Sequence, residues 1–221
     1  MKKFLPLILI GAGVLIVLVA GILLIRRGKG ETGPEDAAKI PELPQSQWPA
    51  VTLTPTEDPK VPNSLGHFLD MKIQKVNVPG AASMDYLLVY TTSDGGQQGV
   101  PGTVKLTGSD IERKLLLGSE SSGKFRFDAG VETGTLTITF RNAKGKSMGK
   151  LATDFRLQTG EKELTSVDGK FSYTLDKVPK GVFFITMPTF IEPDKSLYVV
   201  WKNGYGVFAS DGEKHSGTAS E

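Results

Sequence analysis

From Phe4 to Ile25 the chain runs 22 residues without a charge, and no other feature restricts so sharply what it can become. The run is built of Leu, Ile, Val, Gly and Ala with one Phe and one Pro. Coiled as a helix at about 1.5 Å per residue, it covers roughly the 30 Å hydrocarbon core of a bilayer. Pro6 falls in the first turn, where its missing N–H costs little. The sequence therefore predicts a short tail over 1–3 and a single transmembrane helix over 4–27.

A cleaved signal peptide also begins with lysines and an apolar run. Its apolar core is only about 7–15 residues long and leads to a small-x-small cleavage site. Here the run is longer, no such site follows, and Arg26, Arg27 and Lys29 stop it at the interface. An uncleaved anchor is the expectation. Lys2 and Lys3 oppose those three cations, so the charge bias across the bilayer is close to balanced. The short two-lysine start favours a cytoplasmic N-terminus. That places the rest of the chain on the periplasmic side of a bacterial inner membrane.

The five flanking cations also explain the chain's net charge of +2. Without them, 21 basic residues face 24 acidic ones. The remainder lacks the basic footprint of a nucleic-acid binder, so no nucleic-acid partner is expected. Cysteine is absent, which excludes disulfides, thiolate nucleophiles, thiolate metal sites and lipidated cysteines.

Over 28–64 the composition changes. Seven of the 13 prolines lie here: Pro34, Pro41, Pro44, Pro49, Pro55, Pro59 and Pro62. Proline at that density forbids helix and favours extended chain, so the segment is read as a semi-rigid spacer. Trp48 does not suit a solvated spacer. It packs either on the chain's own domain or on a partner. Val51-Thr-Leu-Thr54 has the pattern of a short first strand.

Strands follow one another over 65–209, many with period-2 alternation, as in Lys124-Phe-Arg-Phe-Asp128 and Leu136-Thr-Ile-Thr-Phe140. No amphipathic helix interrupts them. Asn203-Gly204 marks a type I′ hairpin that sets Trp201 opposite Gly206, where the indole would cover the glycine backbone. Gly123-Lys-Phe-Arg-Phe127 is echoed by Gly169-Lys-Phe-Ser-Tyr173, and Gly134-Thr-Leu-Thr-Ile-Thr139 by Gly181-Val-Phe-Phe-Ile-Thr186. The echo fits two similar halves of one sandwich, about 84–150 and 151–209. It fits two small sandwiches in tandem, or chance likeness between strands, equally well. Residues 210–221 are small and polar and are read as a disordered tail.

The segments Val100-Pro-Gly-Thr-Val-Lys-Leu106, Gly123-Lys-Phe-Arg-Phe127 and Gly134-Thr-Leu-Thr-Ile138 resemble, over about 40 residues, the prealbumin-like and immunoglobulin-like accessory domains. Carboxypeptidase regulatory-like domains and collagen-adhesin B-type repeats are examples. Gly134-Thr-Leu136 departs from the usual Gly-x-Tyr. The resemblance implies an all-β, immunoglobulin-like or prealbumin-like β-sandwich. Its role would be that of a stalk, spacer or docking module.

No enzyme site is visible. His67 and His215 are the two histidines, and neither lies in a run with metal-ligand spacing. No Gly-x-Ser-x-Gly elbow or phosphate loop occurs. No catalytic residue, metal, cofactor or small-molecule ligand is expected. Two stretches could meet a partner. One is the basic loop with Arg141, Lys144, Lys146 and Lys150, which would suit anionic lipid heads or an acidic protein, or be a solvated hairpin tip. The other is Gly181–Phe190, with Phe183 and Phe184, apolar on both strand faces. It is covered either by a partner or by the chain's own linker.

The sequence thus points to a non-catalytic accessory subunit. Its helix lies in the lipid bilayer among the subunits of a larger membrane complex, and its β-domain docks on the exposed face of that complex. An energy-transducing complex is one host that fits. A stalked surface module for protein or glycan is the alternative, and an anchored hydrolase is a third.

Overall fold

The computed structural model describes residues 40–220. The expected anchor, its flanks Lys2, Lys3, Arg26, Arg27 and Lys29, and the first part of the spacer lie outside the described residues. Among the described residues no helix is long and apolar enough to cross a membrane.

The strands are β1 (Ala50–Thr56), β2 (Phe68–Gln74), β3 (Ala81–Thr91), β4 (Gln97–Lys105), β5 (Ile111–Leu116), β6 (Gly118–Ser121), β7 (Lys124–Phe127) and β8 (Thr133–Asn142), followed by β9 (Ser147–Thr159), β10 (Glu163–Thr165), β11 (Ser172–Leu175), β12 (Phe183–Pro188), β13 (Val200–Lys202), β14 (Tyr205–Ala209) and β15 (Gly217–Ser220). The strand-to-strand pairings are antiparallel. A seven-stranded sheet runs β13-β14-β12-β9-β8-β3-β4. Beside it stand a small sheet β1-β2-β5, a flanking sheet β10-β11-β15 and the two-stranded ribbon β6-β7. The fold is all-β, as a β-sandwich requires.

Period-2 alternation explains the layers. One face of the large sheet sends Met84, Leu88, Leu136, Ile138, Phe140, Phe155, Ile185 and Phe208 into a core shared with Val51, Leu53, Leu69, Met71 and Ile73 of the small sheet. The opposite face carries Phe184, Val207 and Ala209, which pack with Leu164, Phe171, Tyr173 and Leu175 of the flanking sheet. Strand β12 is thus apolar on both faces because it is covered on both.

Each cover includes a strand from a segment that composition sets apart, the proline-rich spacer and the polar tail. Residues 50–56 of the proline-rich stretch form β1, whose Val51, Leu53 and Pro55 are buried. Pro55 is accommodated because β1 is the edge of its sheet. Val51 N–H then donates to Thr189 O at 3.2 Å, which ties that edge to the chain leaving β12. Gly217–Ser220 of the expected polar tail form β15, paired along Ser172–Leu175. The first lengthens the strand expected over 51–54; the second corrects the expectation of a disordered tail over 210–221. β15 alternates half-buried and exposed residues, and a strand with one wet face needs few apolar residues to be held by ladder bonds.

Asn203 and Gly204 have φ of 47° and 88°, the paired positive values that a type I′ hairpin requires. Trp201 does stand opposite Gly206. The space above that glycine is filled otherwise: a Cβ there would lie 2.7 Å from the Phe208 ring. The Trp201 indole instead donates to Thr189 Oγ1 at 2.9 Å. Of the echoed motifs, those at 134–139 and 181–186 enter β8 and β12, which flank β9 in one sheet, while those at 123–127 and 169–173 lead into β7 and β11 of two different sheets.

Candidate functional site

Strands β8 and β9 run between two poles of the domain, and each pole gathers polar groups. Ten residues of β8, at about 3.3 Å each, separate the poles by roughly 33 Å.

At the first pole the chain enters the domain. Leu43 N–H donates to Lys150 O and Lys150 N–H to Pro41 O, both at 2.9 Å, so Glu42 and Lys150 form a parallel bridge. Leu43 is buried against Gly149. Trp48 lies on its own domain: its indole N–H donates to Leu43 O at 2.8 Å, and its ring meets Phe190 edge-on at 5.3 Å. Beside this bridge stands the β8–β9 turn. The Asn142 side chain shapes it, its Oδ1 accepting the N–H groups of Lys144 and Lys146 at 2.9 and 3.1 Å. Arg141 is held to Asp85 by an ion pair and donates to Ser147 Oγ at 2.9 Å. The side chains of Lys144 and Lys146 are exposed.

At the second pole a cleft of about 460 Å³ opens. Its lining comes from the turn just before β2 (Gly66, His67), the β7–β8 connection (Asp128, Val131, Glu132), the end of β9 (Arg156, Gln158) with Glu161 beyond it, and Phe183. Gly66 has φ of +81°, and a Cβ there would lie 2.7 Å from the Phe183 ring. Only glycine allows both the turn and that close approach. His67 is stacked flat on Phe127 at 4.4 Å. Burial holds its imidazole below the usual 6.5, with the Asp128 charge opposing. Asp128 Oδ2 accepts the Tyr90 hydroxyl at 2.8 Å. Burial first, and this carboxylate second, push the Tyr90 phenol well above its ordinary range.

Gln158 is buried and fully engaged. Its Nε2 donates to Glu161 Oε2 at 2.6 Å and to Glu163 O at 3.2 Å, and its Oε1 accepts the Thr165 N–H at 2.9 Å. Arg156 donates to Thr165 Oγ1 at 2.7 Å. Among the described residues no hydrogen bond joins His67 to a carboxylate, and no group of three metal-ligating side chains comes together. Next to the cleft the ribbon β6-β7 turns Phe125 and Phe127 toward Phe68, with centroids 6.1 and 6.2 Å from it. Phe125 remains 36 % exposed. The pole is therefore a mixed surface of acids, one arginine, a neutral imidazole and aromatic rings.

The expected contact residues divide between these places. Arg141, Lys144, Lys146 and Lys150 are together at the first pole. Phe183 lines the cleft at the second. Phe184 is only 1 % exposed and belongs to the core, so it offers a partner nothing. The period-2 rule explains the split, since neighbours on a strand face opposite ways. Sequence analysis missed Asp128, Arg156, Gln158 and Glu161. Alternating Phe125 and Phe127 was the one signal near them, because it announces an aromatic face.

No family model matches the chain, and no curated protein matches it.

Proposed function

We propose that the chain is a non-catalytic, membrane-anchored accessory subunit that docks through the cleft pole of its β-domain on a protein partner in a larger membrane complex. One observation carries this most: the chain enters the domain beside Lys150, while the cleft and the partly exposed Phe125 lie at the far ends of β8 and β9. A domain tethered at one pole is free to present the other. The chemistry of the cleft supports a docking role over a catalytic one, since Asp128 is engaged by Tyr90 and Gln158 by Glu161. Rings beside mixed charges are the makings of a protein contact. The resemblance to prealbumin-like and immunoglobulin-like accessory domains agrees with that role. The host membrane is a bacterial inner membrane, with the domain on the periplasmic side.

The test is solubilisation of the tagged full chain in a mild detergent. Comigration with a stable larger complex, lost in Phe125→Asp, is the expected result. A monodisperse monomer would overturn it. The concavity of the cleft favours a second reading, a stalked module for a free protein or glycan. It predicts ligand binding by that same monomer.

A further inference from the structure

The first pole carries more cations than the domain's fold requires. On the large sheet, Lys105 and Arg141 share a row through Ser83, which pairs with both. Lys150 stands two rows inward, opposite Thr139. Lys144 and Lys146 extend from the turn beyond them. On this sheet these five cations face Asp85, paired to Arg141, and Glu42; Asp110, Glu192 and Asp194 lie at the same end of the domain, gathered around Gln74 and Lys75. Among the described residues no ion pair engages the ammonium groups of Lys144, Lys146 or Lys150. The turn is preformed by Asn142, so its cations are presented without the ordering cost of a flexible loop.

The second observation is the place where the chain arrives. The Glu42–Lys150 bridge holds the incoming backbone at the base of this same turn. Fifteen residues, and so sixteen Cα steps, separate Ile25, the end of the apolar run, from Pro41. Fully extended they reach about 55 Å, and less with any bend. Any bilayer holding that run is therefore within reach of this pole. We infer that the Arg141–Lys150 turn is a lipid-facing surface, and that its partner is the anionic headgroup layer of the membrane in which the apolar run is held. This rests on the anchored reading of the chain. Clustered lysines near such a layer are attracted by its negative surface potential, and the attraction falls off within a Debye length. The contact would set the orientation of the domain and turn its cleft pole outward.

The absence of cysteine allows a clean test. The full chain carrying Ala143→Cys is labelled with an environment-sensitive fluorophore at the turn. A control carries Gln97→Cys at the opposite pole. Each is reconstituted in vesicles of zwitterionic lipid alone or with added anionic lipid, and a headgroup-attached quencher is included. Flotation after an alkaline wash reports anchoring separately. The expected result is flotation in both lipids, with quenching at position 143 that needs anionic lipid. That quenching is lost in Lys144→Glu/Lys146→Glu and at about 0.5 M salt, where the Debye length falls to a few ångströms. Position 97 stays unquenched. Flotation without quenching at 143, or quenching equal in both lipids, overturns the inference and leaves the anchor standing. Failure to float in either lipid overturns the anchor and the inference with it.

Discussion

The imidazole of His67 lies flat on the ring of Phe127, with centroids 4.4 Å apart and planes 8° from parallel. The contact joins the turn just before β2 to the ribbon beside the cleft. It also places a titratable group where burial disfavours its charge.

A pH dependence follows. The folded-state pKa of His67 is below the unfolded 6.5. Its contribution to stability is therefore complete above 6.5 and is lost as pH falls through the lower folded value. In an NMR titration His67 should show its midpoint below 6.5. Asp128→Asn should move that midpoint lower still, because it removes the charge that opposes the shift. Amide protection factors at Phe125–Phe127, taken relative to the intrinsic exchange rate at each pH, should fall on acidification. A midpoint at or above 6.5 would refute the assignment.

Phe184 and Phe125 should behave as opposites. Phe184→Ala opens a cavity in the core between the large and flanking sheets and should cost about 3–5 kcal/mol in denaturant unfolding. Phe125→Ala removes a partly exposed ring and should cost about 1 kcal/mol or less. A Phe184 cost as small as that of Phe125 would mean that the second core does not form.

The polar C-terminal segment should prove structural. Tyr173 donates its hydroxyl to His215 O at 2.7 Å. Tyr173→Phe should lose about 1 kcal/mol. Ending the chain at Gly212 should lower the melting temperature further, by removing β15. It should also expose the Ser172 and Thr174 amides to exchange. Unchanged protection would show that β15 does not pair.

Asp168 accepts the hydroxyls of Ser166 and Tyr205, each at 2.6 Å. Burial pushes its carboxyl up, but these bonds outweigh it and the pKa lies below the usual 3.8. The stabilisation is present above the unfolded value and is lost as pH falls through the folded one. Asp168→Asn should cost about 1 kcal/mol at neutral pH, since solvent screens the site, and less at pH about 3. A cost that is the same at both would argue against charge-assisted bonds.

Two sites differed in how far the sequence revealed them. The basic turn is contiguous, so Arg141, Lys144, Lys146 and Lys150 were visible together. The cleft draws Gly66, Asp128, Arg156, Glu161 and Phe183 from separate segments, and no window of sequence holds more than a fragment of it.

Local chemistry by itself determined the charge-free run from Phe4 to Ile25, the all-β character and the turn at Asn203-Gly204. Each depends on residues within a few positions of one another: hydropathy, period-2 alternation and tolerance of positive φ. Only the tertiary structure decided that β12 is covered on both faces, by β1 from a proline-rich stretch and by the sheet that β15 completes. It alone decided that the chain arrives beside the basic turn and opposite the cleft. The reason is that strand pairing and sheet stacking are made between residues far apart in sequence. A strand's own residues say which face must be buried, but not what will bury it.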